Sequence, residues 1–182
     1  MGWFSPVKGH YPSIAQVDKT LPVKEGVTNV KRGTIIALVA DDTGKSEDGV
    51  WKVAAATDKL LYVSLQDYSD PTAGFAGTAF DPKGGVPAIT GIDLAQEGEY
   101  ETSVFDTSKT YTVGQALYVA NGVLTNADPG SGTVVGYVTR PSTDRWINNA
   151  IAVPDQSKGE TDPRLALRTG AKQAVLRFRT AA

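Results

Sequence analysis

The chain of 182 residues is 41% hydrophobic, contains no cysteine and has a single histidine, His10. Without thiols there is no disulfide framework and no thiolate metal site, and one lone imidazole excludes most acid–base and nucleophile pairings, so any catalysis would rest on carboxylates, lysines or hydroxyls. The formal net charge of −2 hides a segregation: residues 1–40 carry five basic and two acidic groups, residues 41–162 eight and eighteen, and residues 163–182 five and none.

The basic ends thus flank an acidic body, a distribution that concerns association rather than fold. A chain of this length buries one core, with room for extensions but not for a second large domain. Its longest apolar stretch, Ile35 to Ala40, is far too short to span a bilayer. The opening Met1-Gly2-Trp3-Phe4-Ser5-Pro6 has no charged leader ahead of an apolar run, and Pro6 stands where N-myristoylation needs Ser or Thr. A soluble, unexported chain with no membrane partner is expected.

Residues 1–30 hold Pro6, Pro12 and Pro22 with Gly9 and Gly26 and show no sustained period, which predicts an extended N-terminal arm. Trp3, Phe4 and Tyr11 are its apolar anchors, and His10 reads as a surface residue within it. From Gly33 the texture changes. Thr34 to Ala40 is a β-branched strand, Asp41 to Gly49 a polar turn and Val50 to Ala54 the returning strand, with Leu60 to Leu65 as a third. Ser69 to Pro87, crowded with Asp, Pro and Gly, predicts a long loop carrying Phe75 and Phe80.

Further strands are expected at Ala88–Asp93, Glu99–Phe105, Ala116–Ala120, Thr133–Thr139 and Trp146–Val153, with turns at Asn121-Gly122 and Asp128-Pro129-Gly130. Arg32 to Val39 weakly echoes Val113 to Val119, each followed by a turn and another strand, but too little matches to claim duplication. Asp162 or Thr161 as cap, Pro163 in the first turn and Gly170 at the end predict a short helix. Lys172 to Arg179 then alternates as a strand, Ala174, Leu176 and Phe178 on one face and Val175, Arg177 and Arg179 on the other, where the arginines stay solvated or meet carboxylates.

The chemistry-bearing motifs are thin. Asp42-Thr43-Gly44 has the triplet of aspartic proteases, which would need a dimer mate, but the charged turn that follows is poor material for a dry catalytic floor. Gly44-Lys45-Ser46 ends like a phosphate-binding loop, yet Val39 stands where its first glycine belongs. Glu97, Glu99 and Glu101 alternate on one strand face, read as solvated, with a cation or basic residues of another chain as the alternatives. Arg168, Lys172, Arg177 and Arg179 could touch phosphates, but the acidic body repels a nucleic-acid backbone. No catalytic residue, cofactor or metal is assigned.

The runs Gly-Thr-Ile-Ile-Ala-Leu, Gly-Val-Trp-Lys-Val-Ala and Leu-Tyr-Val-Ser-Leu-Gln-Asp within Gly33–Asp70 are similar to those of tailed-bacteriophage head decoration, or cement, proteins. The same holds of Tyr-Thr-Val-Gly-Gln-Ala-Leu-Tyr-Val-Ala and Val-Val-Gly-Tyr-Val within Tyr111–Pro141. This resemblance of strand texture implies a small β-rich, non-enzymatic virion subunit on the capsid exterior, present in the host cytoplasm before assembly. It implies a homotrimer, or else a dimer, that grips the major capsid protein through an extended terminal arm. A tail-tube or fibre component is the structural alternative, and a carboxylate-dependent hydrolase using Asp42 the enzymatic one.

The expectation is therefore a mainly β single domain, a β-barrel or β-sandwich, over residues 31–155, with an arm over 1–30 and a C-terminal helix-plus-strand tail over 156–182. Contacts to the capsid or to other copies are expected at Trp3, Phe4, Tyr11, Phe75, Phe80, Arg177 and Arg179.

Overall fold

The computed structural model describes residues 4–6, 19–27, 29–44, 46–69, 79–80, 87–95, 97–146 and 172–181. Their strands are β1 (Phe4–Pro6), β2 (Lys19–Pro22), β3 (Asn29–Val30), β4 (Ile35–Val39), β5 (Val50–Val53), β6 (Leu61–Ser64), β7 (Tyr68–Ser69), β8 (Ala79–Phe80), β9 (Pro87–Asp93), β10 (Glu99–Thr102), β11 (Ala116–Ala120), β12 (Val123–Thr125), β13 (Gly136–Trp146) and β14 (Lys172–Thr180). Among the described residues there is no helix. The helix expected near Asp162–Gly170 lies outside them, as does most of the Ser69–Pro87 loop and the part of the Trp146–Val153 strand beyond Trp146.

The chain is mainly β, as its β-branched runs require, and is organised as two antiparallel sheets. The first is ordered β2-β9-β6-β4-β5, with β8 added to β9; the second is β1-β10-β14-β13-β11-β12, and a short β3-β7 ladder stands apart. The barrel alternative is corrected to two open sheets. In the first, the edge strands β2 and β5 approach only through the bridge Val23–Trp51 and the bond from Lys24 N to Trp51 O at 2.7 Å, so the sheet curls without a continuous closing ladder.

Within the segment expected as an arm, Phe4–Pro6 pairs with β10, Lys19–Pro22 with β9 and Asn29–Val30 with β7. These stretches are extended, but as strands of the same chain, and Leu21 and Val30 are buried in its core. The strand expected in a C-terminal tail is a central one: β14 lies between β10 and β13 and buries Leu176 and Phe178 completely.

The run Ile35-Ile36-Ala37 does not alternate because both faces of β4 are covered. Ile35 and Ala37, with Leu61 and Val63 of β6, pack against Tyr100, Leu117, Leu124, Leu176 and Phe178 of the second sheet. Ile36, Trp51, Tyr62 and Ile89 point the other way, into a cluster that Leu21, Val30 and Tyr68 complete. There the indole of the fully buried Trp51 lies 4.8 Å from Tyr62 and its N–H donates to Ile89 O at 2.9 Å, which satisfies the polar atom that burial would otherwise strand.

The weak sequence echo corresponds to a repeated hydrogen-bond pattern. Gly33 N donates to Ser64 O at 2.7 Å and Ser64 N to Thr34 O at 2.9 Å; Gly114 N donates to Val138 O at 2.8 Å and Val138 N to Gln115 O at 2.9 Å. The side chains of Thr34 and Gln115 accept in turn from Lys31 N and Thr112 N, each at 3.2 Å. Val23 bridges Trp51 and Phe105 bridges Leu124. The next residues, Lys24 and Asp106, donate to the carbonyls of Trp51 and Leu124 at 2.7 and 2.8 Å. Leu94 N to Leu61 O and Ala181 N to Val135 O close both patterns at 3.0 Å.

The strand orders β2-β9-β6-β4-β5 and β10-β14-β13-β11-β12 superpose element for element on this pattern. The chain therefore contains two copies of one curled five-stranded unit. They are joined at the β11–β12 turn, where Asn121 (φ 50°) and Gly122 (φ 75°) make the left-handed pair that a two-residue hairpin favours. Gly122 N donates to Ala54 O and Gly122 O accepts from Ile35 N, both at 2.8 Å, so the turn of the second unit is bonded into the first.

Candidate functional site

The densest group of charges lies across β10, β13 and β14. Antiparallel pairing sets Glu101 opposite Arg177 and Glu99 opposite Arg179. Glu101 Oε1 accepts from Arg177 Nε at 3.0 Å and Nη2 at 2.7 Å, and from Arg140 Nη2 at 2.5 Å. The Glu101 side chain is 7% exposed against 25% and 30% for the two arginines, so the carboxylate is withdrawn from water while both guanidinium groups keep some solvent. Thr139 Oγ1 donates to Glu99 Oε1 at 2.6 Å, and Arg179 pairs with Glu97 in the open, where the ion pair is weak.

The equivalent positions of the first unit, Thr20 and Thr90, make a neutral hydroxyl pair at 2.8 Å. The repeat thus carries a charged clamp in one copy only. Expected as a solvated face, the three glutamates divide: Glu97 is exposed, whereas Glu101 is buried by arginines of its own chain. Arg177, expected at a contact between chains, has its guanidinium on Glu101, while Arg179 is more than half exposed.

The β4–β5 loop holds the Asp-Thr-Gly triplet. Asp41 organises it, accepting from Thr43 N at 2.9 Å, Thr43 Oγ1 at 2.6 Å and Ser46 N at 2.8 Å. Asp42 is exposed and meets Lys24 Nζ at 3.3 Å. A backbone hydrogen bond within its own residue, and then Lys24, hold its carboxyl below the usual carboxylate range. An aspartate dyad would need the carboxylate of a second copy beside it. Among the described residues no three His, Cys, Asp or Glu side chains gather as a metal site would require.

Two grooves occupy equivalent places in the repeat. In the first unit Pro22, Val23, Glu25 and Val50 line a cavity of about 220 Å³, with Asp41, Asp42 and Thr43 on its far side. In the second, Val104, Phe105, Thr107 and Val123 take the corresponding positions around a cavity of about 450 Å³. Ser103, Gln173, Ala174, Thr34 and Lys31 complete its walls, Thr34 and Lys31 from the first unit.

Of the other expected contact residues, Trp3, Tyr11 and Phe75 lie outside the described residues. The backbone of Phe4 is opposite Thr102 at the edge of the second sheet and that of Phe80 opposite Pro87 in the first, so these two are not brought together. Arg140 and the Lys31 groove escaped the sequence reading because each is assembled from positions far apart in the chain. Large apolar side chains exposed on the described surface are Leu60, Val113 and Tyr137. Comparison with protein-family models, with curated proteins and with solved structures finds no match for this chain.

Proposed function

We propose that this chain is a non-enzymatic virion structural protein that binds the outside of a tailed-phage capsid as a homo-oligomer, a trimer foremost, and reinforces the shell across subunit boundaries. The observation that supports the reading is the pairing of Phe4–Pro6 at the edge of the chain's own second sheet: an N-terminal segment able to add as a strand there has the chemistry to add to the edge of a neighbouring sheet instead. The segments that resemble decoration proteins, Gly33–Asp70 and Tyr111–Pro141, hold the matching meanders β4–β6 and β11–β13 of the two units, which adds support. An assembled lattice multiplies weak sites, so modest affinity per subunit suffices to stabilise it.

The test is cosedimentation with undecorated capsids, alongside the native mass of the purified protein. Removal of residues 1–6 spares β2 and the whole first sheet, so the truncated chain is expected to stay folded and to lose most capsid binding. A chain that remains monomeric and ignores capsids overturns the proposal, and full binding after the truncation overturns the role given to the arm.

A further inference from the structure

We propose that the outward face of the second sheet, built on Ala116, Tyr118, Tyr137 and Arg179, is the surface through which two copies of this chain pair about a twofold axis. One large interface already exists inside the molecule, that between its two units. There the row Ile92–Val63–Ile35, side by side across β9, β6 and β4, turns away from the interior of its own unit. Ile35 and Val63 are buried against the second unit and Ile92 packs beside them. By the shared hydrogen-bond pattern the equivalent row of the second unit is Arg179–Tyr137–Ala116 across β14, β13 and β11, with Tyr118 where the first unit has the buried Ala37. This second row faces water: Tyr137 is 47% exposed and the Arg179 side chain 58%.

The two rows differ as a permanent core differs from a surface that is soluble alone and covered in an assembly. Isoleucine and valine give way to tyrosine and arginine, the residues that concentrate binding energy at protein interfaces. The order of the columns identifies the occupant. Arg179 stands on β14 to one side of Tyr137, and Tyr118 on β11 to the other, with Asp128 near enough for its charge and a hydrogen bond to act on the phenol. A cationic column and an aromatic, acidic one thus flank a central tyrosine. A twofold axis along β13 lays Tyr137 against its own counterpart and brings Arg179 of each copy over Tyr118 and Asp128 of the other, so the face is complementary to itself. The edge of the guanidinium keeps its exposed bond to Glu97 while its flat face stacks on the ring. A partner of one charge sign leaves one of the two columns unmatched. The inference rests on the homo-oligomeric part of the reading above and adds a twofold contact to it, whether the copies it joins are single chains or trimers.

The experiment is sedimentation equilibrium of the full chain, of Tyr137→Asp, of Arg179→Ala and of Leu60→Asp, with circular dichroism reporting that each is folded. The parent is expected to have twice the mass of Tyr137→Asp. Leu60, 59% exposed and on the first unit, is the control for placing a charge at an exposed apolar position, so Leu60→Asp should keep the parent mass. Arg179→Ala should weaken pairing at least about tenfold, since each pair contains the cation–aromatic contact twice. Equal masses for the parent and Tyr137→Asp, loss of pairing in Leu60→Asp as well, or pairing unchanged in Arg179→Ala each overturn the proposal. Residues 1–6 are not part of this row and capsid cosedimentation is read separately, so failure here and failure of the capsid reading are distinguishable.

Discussion

Replacing Gly122 with alanine tests whether the two units are held together where the backbone indicates. A Cβ there would sit 2.7 Å from Thr34 Cγ2, 2.7 Å from Val53 Cγ1 and 3.1 Å from Ile35 O, and the φ of 75° is one that L-residues adopt only at a cost. The conformational part is about 1–2 kcal/mol, less what alanine returns by restricting the unfolded chain. The steric part can be relieved only by withdrawing the turn, which breaks the bonds to Ala54 O and from Ile35 N. Each is worth about 1 kcal/mol net and more if a group is left buried without a partner, so the total comes to about 3–5 kcal/mol.

Gly130→Ala is the control. Its φ of 80° is similarly left-handed, but nothing lies within 4 Å of the added carbon, so it should cost only the conformational part, about 1 kcal/mol. Urea unfolding followed by circular dichroism measures both. A difference under about 1 kcal/mol between the two variants would refute the claim that this turn fastens the units.

Glu101→Gln is expected to cost about 2–4 kcal/mol in the same assay, because Arg140 and Arg177 are left facing each other without their anion, whereas Glu97→Gln at an exposed pair costs under about 1 kcal/mol. The double change Glu101→Thr with Arg177→Thr, which copies the Thr20–Thr90 pair of the other unit, should recover part of the single-variant loss. No recovery would mean that the two positions are not interchangeable. Tyr111 donates its hydroxyl to Asp106 O at 2.9 Å, and burial, reinforced by the nearby Asp106 charge, pushes its phenol from 10.0 up to about 12. The unfolded chain therefore releases this proton first, so the contribution is intact below pH 10 and is lost as pH rises towards about 12. Thermal unfolding between these limits should show a shallower decline in Tyr111→Phe than in the parent, and parallel curves would contradict the assignment.

Local structure was legible because it depends on local chemistry. The run Ile35 to Val39, the Asn121-Gly122 turn and the alternation of Lys172 to Arg179 each announce a strand or hairpin from neighbours alone, and each is where the sequence indicates. Partners were not legible. Glu101 and Arg177 are 76 residues apart and Glu101 and Arg140 39, so nothing in either neighbourhood shows that the carboxylate will be buried. The central place of β14 escaped for the same reason, since its pairing with β10 is a long-range event. The repeat was only half visible. Its two copies share glycines and strand positions, but equivalent pairs have changed from hydroxyls at Thr20 and Thr90 to charges at Glu101 and Arg177, while the backbone pattern that identifies them leaves no mark in composition.

The position of β14 also sets an order of events on the ribosome. All six strands of the first sheet have been synthesised once Asp93 is added, but the second sheet cannot be completed until the chain has been extended through Thr180. During that interval a nascent chain carries Ile35, Ala37, Leu61 and Val63 on a formed but uncovered surface. Translation pauses between those two points should therefore be where co-translational aggregation, or capture by a chaperone, is concentrated.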